Sequence, residues 1–149
     1  MPIFVDIDNS DGNDKRFNAA NTGKAAAKAE EAMQKAAKES LTGNAKFTTS
    51  KPKNPKGYEI TLTVTKVVFD KDKNTTKCFV SGVIARVPLQ DTKSGPKGTD
   101  MLSGGWTGSG TVGGGTSDDD VVFCVGGVVK DMMKKDGIPA MEKDFAERK

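Results

Sequence analysis

A run of glycines in the last third of the chain has the spacing of a phosphate-binding loop. Residues 104–120 read GGWTGSGTVGGGTSDDD, in which Gly108, Gly110 and Gly113 form the pattern G-x-G-x-x-G. In dinucleotide-binding proteins this pattern follows a buried parallel strand, and the pyrophosphate lies at the amino terminus of the next helix. Here the next helix would begin with the three aspartates 118–120, whose carboxylates repel a phosphate. No Lys-Ser or Lys-Thr closes the run, so a P-loop is not predicted either.

The same glycines are explained by the backbone. Glycine lets a strand bulge, twist or pass close to another main chain. Trp106, the only tryptophan, lies among them, and two roles are open for it: an anchor in the core, or an exposed anchor at an interface. We expect an interface with a partner here, formed by Trp106, Gly104, Gly105, Gly108 and Gly110.

The residues that most enzymes use are scarce. There is no histidine in the 149 residues, which excludes Ser-His-Asp and Cys-His catalysis. Cys78 and Cys124 are 46 positions apart, too few and too distant for a zinc site of four Cys or His ligands or a C-x-x-C redox pair. They are either two small buried hydrophobes or, in an oxidising compartment, a disulfide. We expect no enzyme, no catalytic residue, no metal site and no cofactor.

An acidic stretch near the amino terminus, DIDNSDGND, has the look of a calcium loop. With Gly12 at the sixth position, the first and twelfth ligand positions fall on Ile7 and Asn18, which is the wrong register for an EF-hand. A turn rich in Asx residues is the default prediction, and weak binding of a hard cation is the alternative.

Lysines crowd the middle of the chain, although the formal net charge is only +3. Arginine is scarce, with three in the whole chain, and it is the better residue for reading phosphates and bases. A solvated surface is the default for these lysines. The alternative is nucleic-acid binding by the hairpin 46–77, with Phe47, Tyr58 or Phe69 for stacking. Its candidate contacts are Lys51, Lys53, Lys56, Lys71 and Lys73.

The hydrophobic pattern predicts the elements that would position these residues. A strand is predicted at 2–7, a loop after it, an alanine-faced helix from Thr22 to the stop at Gly43, and a doubtful strand at 45–50. GYEITLTVTKVVF alternates cleanly and forms a hairpin with KCFVSGVIARVPL across a seven-residue connection. A glycine-loosened strand at 101–114 follows, then a helix capped by Ser117 and Asp120 that stops at Gly137.

This order predicts an α+β fold: a two-layer sandwich of a mostly antiparallel sheet of four or five strands with two helices on one face, in the order β-α-(β)-β-β-β-α. We expect one domain, 1–149, in which 138–149 is a short helical or flexible tail. No apolar run approaches the roughly 20 residues of a membrane helix. The start carries no visible export signal, which predicts a cytoplasmic protein by default, or a periplasmic one if the chain is a mature domain.

The element order, the early FVDIDNSDG and the strand YEITLTVTKVVFD together resemble bacterial envelope domains. These are the amino-terminal domain of the TolB translocation protein, the curli-secretion lipoprotein and the lipoproteins that activate penicillin-binding proteins. The resemblance covers about residues 2–135 and implies an α+β domain. It assigns no functional residue.

We therefore expect a non-enzymatic binding or assembly protein, a subunit of a larger complex, that acts through its sheet edge and glycine-rich strand. Its partner would be another protein or a second copy of itself. The alternative is a nucleic-acid-binding module that uses the lysine-rich hairpin. An enzyme with a carboxylate-based or metal-assisted site ranks last.

Overall fold

The computed structural model describes residues 2–11, 22–87, 101–102 and 105–148. Its strands are β1 (Ile3–Asp11), β2 (Phe47–Thr48), β3 (Gly57–Asp70), β4 (Thr75–Val87) and β5 (Trp106–Gly113). Its helices are α1 (Thr22–Thr42), α2 (Asp118–Met132) and α3 (Ile138–Glu147), and a π-helical turn, Met133–Gly137, joins the last two.

The strands form one sheet in the order β2-β1-β3-β4-β5. The long pairings β3–β4 and β4–β5 are antiparallel, whereas β1 runs parallel to β3 and to the two-residue β2. The parallel pairing follows from α1, because a crossover helix returns the chain in the direction in which it left. The predicted α+β class, with a five-stranded, mostly antiparallel sheet and helices packed on it, is confirmed.

Alternating side chains give the sheet one buried and one open face. Along β3, Tyr58, Ile60, Leu62 and Val64 are completely buried, while the threonines between them are partly exposed. Both α1 and α2 pack on the buried face, α1 against β1 and α2 against β4 and β5. The period-two pattern of the sequence is therefore realised directly, because each strand turns every second residue towards the helices.

Helix α2 begins where the capping signal predicts. The backbone N–H of Ser117 donates to the Asp120 carboxylate at 2.9 Å, and the Ser117 hydroxyl donates to the same oxygen at 2.7 Å. These hydrogen bonds hold the pKa of Asp120 below its usual value. The cap fixes the first turn of α2 shortly after the end of the glycine-rich strand. Cys124 in α2 thereby lies against that strand, with its Sγ 3.4 Å from the carbonyl oxygen of Gly110.

Several predicted boundaries are wrong, and the strands predicted at 45–50 and 101–114 are shorter in the structure, at Phe47–Thr48 and Trp106–Gly113. Strand β1 continues past Ile7 to Asp11, because its main chain keeps pairing with β3 beyond a register shift between Asp6 and Asn9. The β3–β4 connection is four residues long instead of seven, since Asp70 already pairs with Thr75. Asn74 closes this tight turn with a positive φ of 52°, a conformation that asparagine tolerates better than most residues.

The helix also does not stop at Gly137. Gly137 has right-handed helical dihedral angles, and the chain passes through the π turn into α3. Pro139 lacks an N–H and would crowd the preceding turn of a regular helix, and the wider π turn lies immediately before it. The residues from 138 onward, for which the sequence left a helix or a flexible tail open, are helical as far as Glu147.

Cys78 and Cys124 are both buried and are joined in a disulfide, the second of the two alternatives that the sequence left open. The bridge links β4 to α2 within the hydrophobic core. The hydrophobic core around it contains the large side chains Met33, Ile60 and Leu62.

Candidate functional site

The glycine-rich strand β5 lies at one edge of the sheet. Among the residues that the structure describes, it pairs with β4 alone. The residues alternate in exposure along its whole length: Trp106, Gly108, Gly110 and Val112 are half-buried and face α2, while the residues between them are exposed. Because the second edge strand, β2, has only two residues, β5 is the longer of the two strands at the ends of the sheet order.

The inward glycines of β5 allow α2 to approach closely. A Cβ at Gly108 would lie 2.6 Å from Cγ of Met132 and 3.0 Å from Cγ1 of Val128. At Gly110 it would lie 2.8 Å from Cγ2 of Val128. Cβ contacts shorter than 3.0 Å are essentially never seen, so a side chain at either position would force Met132 or Val128 to shift. Packing thus accounts for two of the three glycines in the phosphate-loop spacing, whereas a Cβ at the third, Gly113, would meet no atom of the described residues within 4 Å.

Trp106 packs across two further glycines of its own chain. A Cβ at Gly82 on β4 would lie 2.9 Å from Cε3 of the indole, and one at Gly137 in the π turn would lie 3.0 Å from Cη2. The ring is half-buried and packs against the core. Gly137, which the sequence pattern predicts to end the helix, therefore lies against the indole and leaves space for it.

The predicted interface residues are thus placed as follows. Gly105 lies beside Gly82 at the start of β5, where a Cβ would be 3.4 Å from the Gly82 carbonyl oxygen, and Gly104 lies outside the described residues. The contacts of Trp106, Gly108 and Gly110 are to α2, β4 and the π turn. Their role at an interface stays a prediction. The outer main-chain edge of β5 pairs with no other strand among the described residues.

The lysines proposed to contact nucleic acid form two separate groups. All of them are exposed, but one group precedes β3 and the other follows it. A strand of 14 residues separates the two by about 45 Å. Two of the stacking residues expected with them, Tyr58 and Phe47, are buried, and Phe69 is partly buried against the core. The two groups are Lys51, Lys53 and Lys56 at one end and Lys71 and Lys73 at the other.

An aromatic residue that the sequence reasoning missed lies on the open face of the sheet. Phe79 is half-buried, with the ammonium group of Lys77 5.2 Å and that of Lys66 5.9 Å from its ring centre. Lys66 pairs with Phe79 across the β3–β4 ladder. The alternating pattern of β4 could have identified it, because Phe79 lies between the buried Cys78 and Val80 and therefore on the other face of the sheet.

A cluster of polar side chains fastens α3 to the sheet. The Asp144 carboxylate accepts hydrogen bonds from the Tyr58 hydroxyl at 2.6 Å and from Nε of Arg86 at 3.1 Å. The Arg86 guanidinium is the main reason why the pKa of Asp144 lies below its usual value. Arg148 stacks on the Tyr58 ring and donates to the carbonyl oxygen of Gly57 at 2.8 Å. All of these groups are used in holding the fold together.

Within the described residues, no group of three or more His, Cys, Asp or Glu side chains is arranged to hold a metal ion. Asp14, part of the acidic amino-terminal stretch, lies outside those residues. No helix in the described part of the chain is long and apolar enough to cross a membrane.

No protein-family model and no curated protein sequence matches the chain. Among solved structures, the fold is similar to that of a predicted lipoprotein from Caulobacter crescentus, with a TM-score of 0.47 and 12% sequence identity over 81% of this chain and 86% of that one. A likeness this distant carries no argument about function. The resemblance to bacterial envelope domains stays a prediction.

Proposed function

We propose that this chain is a non-enzymatic binding or assembly protein that accepts a partner strand on the outer edge of β5. The observation that carries the proposal is the character of this edge. Over eight residues, WTGSGTVG, it contains no charged side chain and no proline. Natural sheet edges are commonly protected by lysine, proline or a bulge, because unpaired main-chain groups attract other strands.

The side chains of β5 suit strand addition. Thr107, Ser109 and Thr111 are exposed and small, so another backbone can approach without steric conflict. In an antiparallel ladder about half of the main-chain groups of an edge strand point outward. These hydrogen bonds would supply affinity, and the side chains of alternate residues would supply specificity.

The edge is also held in place before any partner arrives. α2 packs closely on β5 at Gly108 and Gly110, and the disulfide ties α2 to the neighbouring strand β4. A preformed edge loses little conformational entropy on binding. A disulfide of this kind is typical of an oxidising compartment, and we propose that the protein works in one.

This proposal can be tested with peptides that are selected from a displayed library for binding to the chain. We expect the tightest binders to protect the amides of Trp106–Gly113 from hydrogen exchange. Lysines at the edge, in a Thr107→Lys/Thr111→Lys variant, should weaken binding by about tenfold or more. The matched control is Thr63→Lys, on the open face of the central strand β3, which should leave affinity unchanged. Protection confined to other elements, or equal affinity in the edge variant, would refute the proposal.

Nucleic-acid binding is the second candidate, and Phe79 between two lysines is the observation that favours it. A base could stack on this ring while Lys66 and Lys77 neutralise phosphates, with Lys71 and Lys73 in the turn at the same end of the hairpin. Base–aromatic stacking contributes about 1–3 kcal/mol.

Fluorescence anisotropy with labelled single-stranded oligonucleotides at low and high salt tests this candidate. We expect steep weakening with salt and a further loss in Phe79→Ala, whereas Lys53→Gln at the far end should have little effect. No anisotropy change at low salt would exclude the candidate and would leave the strand-addition proposal untouched.

A further inference from the structure

A groove runs between α1 and α2 on the side of the helices that faces away from the sheet. Its volume is about 370 Å³. Small residues form its floor: Ala32 and Ala36 from α1, and Gly126 and Gly127 from α2. A Cβ at either glycine would meet no atom of the described residues within 4 Å. Unlike Gly108 and Gly110 of β5, these two therefore leave space that the described residues do not fill.

Phe123 stands at the rim of this groove with 73% of its surface exposed. It lies on the side of α2 opposite the buried residues Val121, Val125 and Met132. Phe123 is two positions from Val121 and from Val125, and two positions along a helix correspond to a rotation of about 200°. None of the residues that the structure describes covers the ring of Phe123. An exposed aromatic beside a floor of small residues is the arrangement of an interface anchor next to a pocket.

The anchor and the pocket are one helical turn apart on the same helix. If two copies of α2 lie antiparallel across a two-fold axis between Phe123 and Gly127, Phe123 of each copy faces the glycines of the other. A two-fold interface requires such self-complementarity, in which residue i of one copy meets residue j of the other and the reverse. Glycine and alanine on the floor allow the helices to approach closely.

The charges on the same face of α2 agree with this arrangement. Asp119 lies one turn before Phe123, and Lys130 lies one turn after the glycines, both exposed. An antiparallel pairing that places Phe123 on Gly126 or Gly127 also brings Asp119 of each copy to Lys130 of the other. Lys130 already contacts Glu39 at 3.0 Å along the groove, so in the pair it would lie between two carboxylates. A parallel pairing would instead set like charges against each other.

We propose that two copies of this chain associate through α2, antiparallel, with Phe123 of each copy inserted into the α1–α2 groove of the other. This surface is separate from the β5 edge, and the inference does not depend on strand addition. The symmetric contacts are Phe123 with Gly126 and Gly127, and Asp119 with Lys130, each occurring twice.

Sedimentation velocity over a range of concentrations tests the pairing with the full chain. We expect a monomer–dimer equilibrium whose dissociation constant rises by about tenfold or more in Phe123→Ser. The matched control is Val68→Ser, which removes another exposed hydrophobic residue from the β3–β4 hairpin and should leave the equilibrium unchanged. A monomer at every concentration, or an unchanged dimer in Phe123→Ser, would overturn the proposal.

A glycine variant separates loss of pairing from loss of folding. Gly126→Leu fills the groove but replaces glycine by a better helix former, so the monomer should be at least as stable to urea while the dimer is lost. If Gly126→Leu dimerised as well as the parent chain, the groove would not be the contact surface.

A charge exchange tests the antiparallel register. Asp119→Lys alone and Lys130→Asp alone should each dimerise about tenfold more weakly, because each creates two like-charge contacts. Mixing the two variants should restore pairing, since both contacts in the mixed dimer then join opposite charges. Failure of the mixture to pair, with Phe123→Ser still disruptive, would reject the proposed register and therefore the arrangement.

Discussion

The Tyr58 hydroxyl lies 2.6 Å from a carboxylate oxygen of Asp144, 86 residues further along the chain. Arg86 donates to the same carboxylate through Nε, so one acidic side chain of α3 holds both β3 and β4. Burial and the neighbouring carboxylate raise the pKa of Tyr58, which keeps its hydroxyl a donor throughout the physiological range. The carboxyl-terminal helix is thereby fixed to the end of the sheet.

Asp144→Asn should lower the free energy of unfolding at pH 7 by about 2 kcal/mol, the usual scale for hydrogen bonds to a charged group. The side chain of Asp144 is 13% exposed, so solvent screening reduces this little. Because the folded state lowers the pKa of Asp144, its contribution is complete above about pH 4 and is lost as the pH falls through the folded-state pKa.

Urea unfolding of both proteins at pH 7 and pH 2 measures this difference, which should shrink towards zero in acid. Asp131→Asn is the control, because its pair with Lys135 is an exposed i,i+4 contact that should contribute less than about 0.5 kcal/mol. A difference between the parent chain and Asp144→Asn that stays constant with pH would show that charge is not its origin.

Gly108→Ala should destabilise the protein by about 1–3 kcal/mol, because the added methyl group conflicts with Met132 and Val128 across the β5–α2 contact. Gly113→Ala on the same strand meets nothing within 4 Å and should change stability by less than about 0.5 kcal/mol. Urea midpoints of the two variants test the packing explanation of the glycine spacing. Equal midpoints would leave that explanation without support.

Loss of the disulfide should lower the unfolding free energy by about 4 kcal/mol in the chain-entropy model, since the bridge closes a separation of 46 residues. The measurement compares urea midpoints of the parent chain with and without a reductant, and of Cys78→Ala/Cys124→Ala. The double variant should be insensitive to reductant. A parent chain whose midpoint also ignores the reductant would contradict this prediction.

Trp106→Ala should reduce the unfolding free energy by about 2–4 kcal/mol, because the indole fills the space between Gly82 and Gly137. Trp106→Phe keeps part of the ring contact and should therefore reduce the unfolding free energy by less than Trp106→Ala does. Stability is measured by circular dichroism, since the substitution removes the only tryptophan. Wild-type stability together with lost peptide binding in Trp106→Ala would instead identify an interface anchor, the other role that the sequence leaves open.

Most of the fold can be predicted from local sequence patterns. The strict alternation of β3, the three- and four-residue spacing of alanines in α1 and the Ser117–Asp120 cap each depend on residues close in sequence, so they can be interpreted without the tertiary structure. The wrong predictions concern element boundaries that depend on contacts with residues distant in the sequence. The extension of β1 to Asp11 depends on main-chain pairing with β3. Gly137, which the sequence predicts as a helix stop, instead lies in a π turn and packs against the distant Trp106.

The sequence by itself determined the α+β class, the positions of the long elements and the lack of histidine chemistry, because hydrophobic periodicity and composition are properties of the chain alone. Only the tertiary structure decided that the β5 glycines face α2, that Cys78 meets Cys124, and that Phe123 stands beside an unfilled floor of glycine and alanine. The reason is physical: a glycine, a cysteine or an exposed phenylalanine acquires its role from the residue that folding places opposite it.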